Sequence, residues 1–311
     1  MSPTTSKSAS APERHTLPET AIAQSQNQPQ DAAQNTGDRP VIVIEASGEF
    51  VTLRLGELWA YRELLFFMIW RDVKVRYKQT ALGVAWAVLQ PLATMLIFTI
   101  FFGRLAGIEA RTGGIPYPVF AYAALLPWTF FNNAVINSSN SLVGSAHIVT
   151  KVYFPRMIVP AAAVGAALVD FAVAAVVFVG LMFYYSVIPT WLLLAMPFVL
   201  VLLTLLALAA GLWMSALNVK YRDVRHALPF IMQAWMFVSP IIYPSGMITG
   251  RWRWLLALNP LTGIIDGFRA SLLGTPWGWG SMALSTAFVV VALPLTAVYF
   301  SRTEKSFADI V

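Results

Sequence analysis

Hydrophobic residues along this chain fall into long charge-free windows, set apart by short polar or basic stretches. From Gln79 to Gly103 no residue carries a formal charge. Roughly 20 apolar residues in a helix rising about 1.5 Å per residue cross a hydrocarbon core. This window predicts a first membrane span over 82–102, kinked at Gln90-Pro91, where proline removes a helical donor. A second span is expected over 117–136, closed by the polar run Asn137-Ser138-Ser139-Asn140-Ser141. Residues 157–219 contain one charge, Asp170, and are too long for a single crossing. The stretch from Tyr185-Ser186 to Pro189 divides them into spans near 159–185 and 191–217. A fifth span is expected over 228–243 and a sixth over 281–300.

Upstream of the first span the period changes. Leu58, Tyr61, Leu65, Met68 and Ile69 recur at helical spacing on one face, while Glu63, Arg71, Lys74 and Lys78 share the other, interrupted by Phe67. Such a helix beside a span lies in the interface plane. Residues 1–40 are rich in Ser, Thr, Gln, Ala and Pro without a hydrophobic period, and read as a disordered cytosolic tail. They contain no apolar core of the signal-peptide kind. Pro40–Ile44 and Phe50–Leu53, around Ser47-Gly48, are expected to pair as two short strands. The domain organisation expected is thus a tail over 1–40, a cytosolic and interfacial segment over 41–81, and a six-span membrane domain over 82–311.

Between the fifth and sixth spans, residues 244–280 hold ten Gly or Pro residues and four tryptophans, Trp252, Trp254, Trp277 and Trp279. The apolar piece 254–265 within them is too short to cross and is broken at Asn259-Pro260. Non-helical backbone at membrane depth persists only where protein or a wet cavity satisfies it. A re-entrant pair of short helices capping the outer end of a pathway is expected there. The fold class is an all-α polytopic membrane protein.

Composition and charge agree with this. Hydrophobic residues make up 58% and charged residues 12% of the 311 residues, about half the charged share of a soluble domain. Twelve cations border the inner ends of the spans: Arg62, Arg71, Lys74, Arg76, Lys78, Lys151, Arg156, Lys220, Arg222, Arg225, Arg302 and Lys305. Five border the outer ends: Arg104, Arg111, Arg251, Arg253 and Arg269. The asymmetry places both termini in the cytoplasm. The net charge of +6 sits beside apolar segments, where lipid headgroups explain it better than nucleic acid.

The chemistry is sparse. The absence of cysteine excludes disulfides and thiolate chemistry. None of the nineteen glycines precedes a lysine, so no P-loop is present, and Gly-x-Ser-x-Gly does not occur. His15, His147 and His226 lie in separate segments, so no metal site and no cofactor is expected in this chain. Asp170 is the one ionisable group inside a span. At roughly 2.5–3.5 kcal/mol on insertion scales, it calls either for a Ser, Tyr or Trp donor on a neighbouring helix or for a role in a pathway. Trp86, Trp213, Trp235, Phe237 and Tyr243 lie in or near spans, where they are either channel-lining rings on which sugars stack and slide or members of an interfacial aromatic belt.

At several of these positions the chain resembles a known family. Arg76-Tyr77-Lys78-Gln79-Thr80-Ala81-Leu82-Gly83-Val84-Ala85-Trp86, followed by Gln90-Pro91-Leu92, is similar to a signature of polysaccharide-exporting ABC transporter permeases. Lys151-Val152-Tyr153-Phe154-Pro155-Arg156, Tyr221-Arg222-Asp223-Val224 and the C-terminal Glu304-Lys305-Ser306-Phe307-Ala308-Asp309 match family loops and tail, in order. The resemblance covers about 40–311. It implies a homodimer with a central channel in the bacterial inner membrane, and two cytosolic ATPase subunits from another gene that bind ATP and Mg. It also implies a cargo of the O-antigen or capsule type on an undecaprenyl-diphosphate-type lipid. On that resemblance Lys151, Val152, Tyr153, Phe154, Pro155 and Arg156 couple to the ATPase. Arg71, Lys74, Arg76 and Lys78 either guide the anionic lipid head, since pyrophosphate favours clustered cations, or simply orient and anchor the chain. Two other functions are weighed: a membrane-embedded enzyme acting on polyprenyl-linked sugars, and an ATP-independent flippase of lipid-linked glycans. The enzyme needs an acid or metal-binding pair, and the inner loops offer only Asp72 and Asp223. The flippase needs more buried polar groups than one aspartate.

Overall fold

The computed structural model describes residues 60–78, 83, 85–145 and 154–310, with side chains as far as Glu304. The expected tail and strands, and residues Lys151, Val152 and Tyr153, lie outside the described residues. Among those described there is no strand. The helices are α1 (Arg62–Lys78), α2 (Ala85–Phe98), α3 (Tyr117–Gly144), α4 (Ile158–Tyr184), α5 (Met196–Lys220), α6 (Val224–Val238), α7 (Arg251–Leu258), α8 (Pro260–Leu273) and α9 (Trp279–Ile310).

Among the described residues five helices are long and apolar enough to cross a membrane: Ala85–Leu105, Tyr117–Gly144, Ile158–Tyr184, Trp191–Lys220 and Trp279–Glu304. The first includes a π-helical stretch, Thr99–Leu105, and the fourth begins with a 3-10 turn, Trp191–Ala195. Helix α6, in the window of the expected fifth span, has 15 residues and stops at Ser239-Pro240, so it is shorter than the roughly 20 residues of a full crossing. The pair α7 and α8 fills the Gly/Pro-rich segment as two short helices, broken at Asn259.

α3 is the central element. In its most apolar window 78% of residues are buried, against 11% for the helix that contains α2. Aromatic pairs fasten it to its neighbours: Tyr122 stacks on Phe178 of α4, and Phe130 meets Phe171 edge-on. Close contacts at glycines set two spacings. A Cβ on Gly211 would lie 2.5 Å from the Ser138 hydroxyl, so α5 approaches α3 where no side chain intervenes. A Cβ on Gly165 would lie 2.5 Å from the tip of Ile69, which seats α1 on α4.

The polar run 137–141 does not end α3, contrary to expectation. The helix continues to Gly144, and other helices satisfy the polar groups of Ser138, Ser139 and Asn140. Ser138 donates to the Pro160 carbonyl at 3.1 Å and Ser139 to the Met214 carbonyl at 3.3 Å. Asn218 donates to the Ser139 carbonyl at 2.9 Å and to Asn140 Oδ1 at 3.2 Å. Hydrogen-bonded polar groups can be buried at little penalty. At this end of α3 a second apolar cluster joins Met68, Leu142, Phe154, Ile158, Leu212 and Phe300 from six parts of the chain.

Candidate functional site

Where α1 ends and α2 begins, a cleft of about 300 Å³ opens against α3 and α4. Its construction follows from the lone span carboxylate. Asp170 on α4 sits with 14% of its side chain exposed, and two groups of α1 reach it. The Arg76 guanidinium donates to Asp170 Oδ2, and the Tyr77 hydroxyl donates to Oδ1. An unpaired carboxylate there would be strongly disfavoured, and a charged donor with a neutral one satisfies both oxygens. Burial, followed by the hydrogen bond to Asp170, pushes the Tyr77 hydroxyl above its ordinary range, so Tyr77 remains a donor.

The remaining walls are supplied by helix faces. α2 contributes Trp86 and Gln90, one turn apart, and α3 contributes Asn133 and Asn137 at the same spacing. Phe130 and Phe171 form the apolar back. Trp86 is 57% exposed.

The four cations expected to guide a lipid head do not converge. Arg71 turns to its neighbour Asp72, with Nη2 at 2.8 Å and Nε at 3.0 Å from Oδ1. Arg76 is committed to Asp170, while Lys74 and Lys78 are exposed. Of the aromatics expected in a channel, Trp86 alone lines the cleft. Trp213 and Phe237 are exposed on α5 and α6. Trp235 is spent on packing: its ring stands edge-on to Phe131 at 5.4 Å, and Nε1 donates to Asn259 Oδ1 at 3.1 Å. Tyr243 is half-buried against the main core.

In the expected coupling loop, Phe154 is buried in the second apolar cluster. Arg156 reaches α9, its backbone N–H donating to Glu304 Oε1 at 3.2 Å and Nη1 to the Glu304 carbonyl at 2.7 Å. Pro155 lies between them in the turn that leads into α4.

The Tyr117 end of α3 carries a polar network that sequence reasoning missed. Arg269, counted above among the cations at the outer ends of the spans, is 2% exposed inside α8. Its Nη1 donates to the Pro240 carbonyl at 2.6 Å and its Nη2 to the Ile241 carbonyl at 2.7 Å. The guanidinium lies 3.7 Å over the Phe120 ring, with Asp266 Oδ1 at 4.0 Å. Asn259 ties the same parts together. Its Oδ1 caps α8 at the Leu261 N–H (3.1 Å) and its Nδ2 donates to Ser239 Oγ at 2.9 Å. The available signal was an arginine set among Leu261, Ile264, Ile265, Phe268 and Leu272, an apolar repeat that no exposed loop needs.

The chain matches the model of the ABC-2 type transporter family over residues 63–273. It is similar to proteins named O-antigen export system permease protein RfbA. The one from Myxococcus xanthus is 29% identical over 257 residues, covering 81% of this chain and 97% of the relative. One from Klebsiella pneumoniae is 28% identical over 255 residues, covering 80% and 95%. The polysialic acid transport protein KpsM of Escherichia coli is 25% identical over 246 residues, covering 75% and 91%.

Proposed function

This chain belongs to the ABC-2 type transporter family, and we propose that it is the permease subunit of an ATP-driven exporter. The exporter moves a lipid-linked polysaccharide, of the O-antigen or capsule kind, outward across the bacterial inner membrane. The observation that carries this reading is the match to O-antigen export permeases over 95–97% of their own length. The sparse chemistry of the sequence supports it, since a chain without a phosphate-cradling loop needs a partner to supply ATP hydrolysis.

In this reading two copies of the chain enclose a channel, and two cytosolic ATPase subunits bind ATP and Mg. α6 together with the residues up to 243 makes a sixth crossing, so both termini face the cytoplasm. α1 lies in the interface, and α7–α8 re-enters the membrane as a cap at the outer end. The loop that ends at Phe154, Pro155 and Arg156 receives the ATPase, with Lys151, Val152 and Tyr153 at the contact. Among the cations, Lys74 and Lys78 are exposed at the entrance and suit a first encounter with an anionic lipid head.

The reading is tested by deleting the gene in the native host and by purifying the protein gently from its membrane. Loss of surface polymer, lipid-linked polymer accumulating inside, and an ATPase recovered in equal amount are expected. Unchanged surface polymer, or a solitary chain after crosslinking, would overturn it.

A further inference from the structure

We infer that the cleft between α1, α2, α3 and α4 holds an uncharged sugar ring of the cargo, and not its phosphates. The inference rests on the exporter reading and assigns part of the cargo to a defined place. Charge is the first argument. Arg76 and Asp170 are the charged residues of the lining, and they neutralise each other. A phosphate would have to strip Arg76 from Asp170, leaving a desolvated carboxylate beside a second anion.

The unspent polar groups are the second argument. The side-chain amides of Gln90 and Asn137 make no hydrogen bond to a described residue. Asn133 uses only its Oδ1, which accepts from Asn132 at 3.3 Å. Pro91 lacks an N–H, so the carbonyl of Ala87, also in the lining, loses its regular helical donor. Amides offer donors and acceptors together, which suits hydroxyls that also do both. A phosphate ester accepts only, so it could use the amide N–H groups but would leave the amide oxygens and the Ala87 carbonyl unpaired.

Shape is the third. The two i,i+4 pairs, Trp86–Gln90 and Asn133–Asn137, place one broad ring and three amides around the opening. The negative face of the exposed Trp86 ring suits the weakly positive C–H side of a pyranose. A volume of about 300 Å³ is at the small end of ligand cavities, enough for a ring or two and not for a chain.

The experiment uses the absence of cysteine. Ala87→Cys introduces the first thiol into this chain, inside the cleft. The assembled complex in lipid nanodiscs is labelled with a polar maleimide and read on the permease band. Three probes are compared: a polyprenyl diphosphate, the same lipid bearing one N-acetylhexosamine, and a free N-acetylhexosamine disaccharide. The glycosylated lipid should slow labelling about ten-fold at saturation, since an occupied site excludes the reagent, and the bare lipid should not. Adding Asn137→Leu should abolish that protection, and Asn133→Leu provides a second variant if the first fails to assemble. Protection by the free disaccharide would also support the inference and show that the ring is recognised without its lipid. Equal protection by the bare lipid would overturn it in favour of an anion site, and protection by none of the probes would overturn it outright. Either overturning result leaves the exporter reading standing, whereas failure of that reading shows as unchanged surface polymer in the deletion strain.

Discussion

Arg156 grips Glu304 through the backbone as well as the side chain, its Nη1 lying 2.7 Å from the Glu304 carbonyl oxygen and its own N–H 3.2 Å from Oε1. The turn before α4 is thereby fixed to α9 across 148 positions of sequence. Arg156→Ala removes the guanidinium contacts but keeps the bond from the main-chain N–H. The expected loss is about 1–2 kcal/mol, the scale of a hydrogen bond from a charged donor, with little from the partly exposed ion pair itself. Arg156→Lys should recover only part, because a single ammonium does not reproduce the fork. Melting curves of the purified variants check both.

The Arg76–Asp170 pair predicts an asymmetric mutant series. Arg76→Gln leaves a carboxylate largely out of water and should destabilise by about 2–3 kcal/mol, somewhat below the range for fully buried pairs. Asp170→Asn retains an oxygen that accepts from Tyr77 or Arg76 and should cost less. The double variant should sit closer to wild type than Arg76→Gln alone, a coupling that a double-mutant cycle measures. Equal losses for both single variants and strict additivity would contradict the pairing.

Arg269 satisfies backbone carbonyls in a buried site, so Arg269→Ala strands acceptors as well as deleting the cation contact with Phe120. A loss of about 3 kcal/mol or more is expected from two or more unpaired buried groups, visible as poor yield and aggregation in detergent. Arg269→Lys should restore part of it, since an ammonium reaches fewer carbonyls than the planar fork.

Two glycine substitutions should differ in severity. At Gly263 a Cβ would lie 2.3 Å from the backbone oxygen of Ser281, which side-chain rotation does not relieve. At Gly165 it would meet the flexible end of Ile69. Gly263→Ala should therefore cost about 2–3 kcal/mol and Gly165→Ala about 1 kcal/mol, within the range for overpacking. Trimming Ile69 to Val, which removes the nearer atom but keeps Cγ1 at 2.8 Å, should rescue Gly165→Ala in part, and no trimming of a neighbouring side chain should fully rescue Gly263→Ala. Thermal unfolding of the four proteins decides this.

What was legible in the sequence was what depends on neighbours along the chain. The break between Tyr185 and Pro189 separates α4 from α5 because local polarity and proline interrupt an apolar run. What was not legible depends on distant partners. Nothing near Ser138–Asn140 tells that Asn218 and the Pro160 and Met214 carbonyls will satisfy its polar groups. A span carboxylate signals that it needs a partner, but the choice of Arg76, 94 positions away, is made by the packing of α1 on α4. α1 itself was half legible: Met68 and Ile69 pack inward as the period requires, while Phe66, Phe67 and Trp70 remain exposed. An outward apolar face of that kind suits a lipid interface better than water.

The two bolts at Asn259 and Arg269 turn the stretch from Trp235 to Leu273 into a bracket without a joint. Ser239 and Pro240 end the helix, and the carbonyls of Pro240 and Ile241, in the turn just beyond it, are the ones Arg269 clamps. Flexing at that corner would break the bonds that Arg269 and Asn259 make across it. The breaks without such ties lie at the bracket's two ends: the Tyr221–Asp223 turn before α6, and Gly274 with its left-handed φ of 69° after α8.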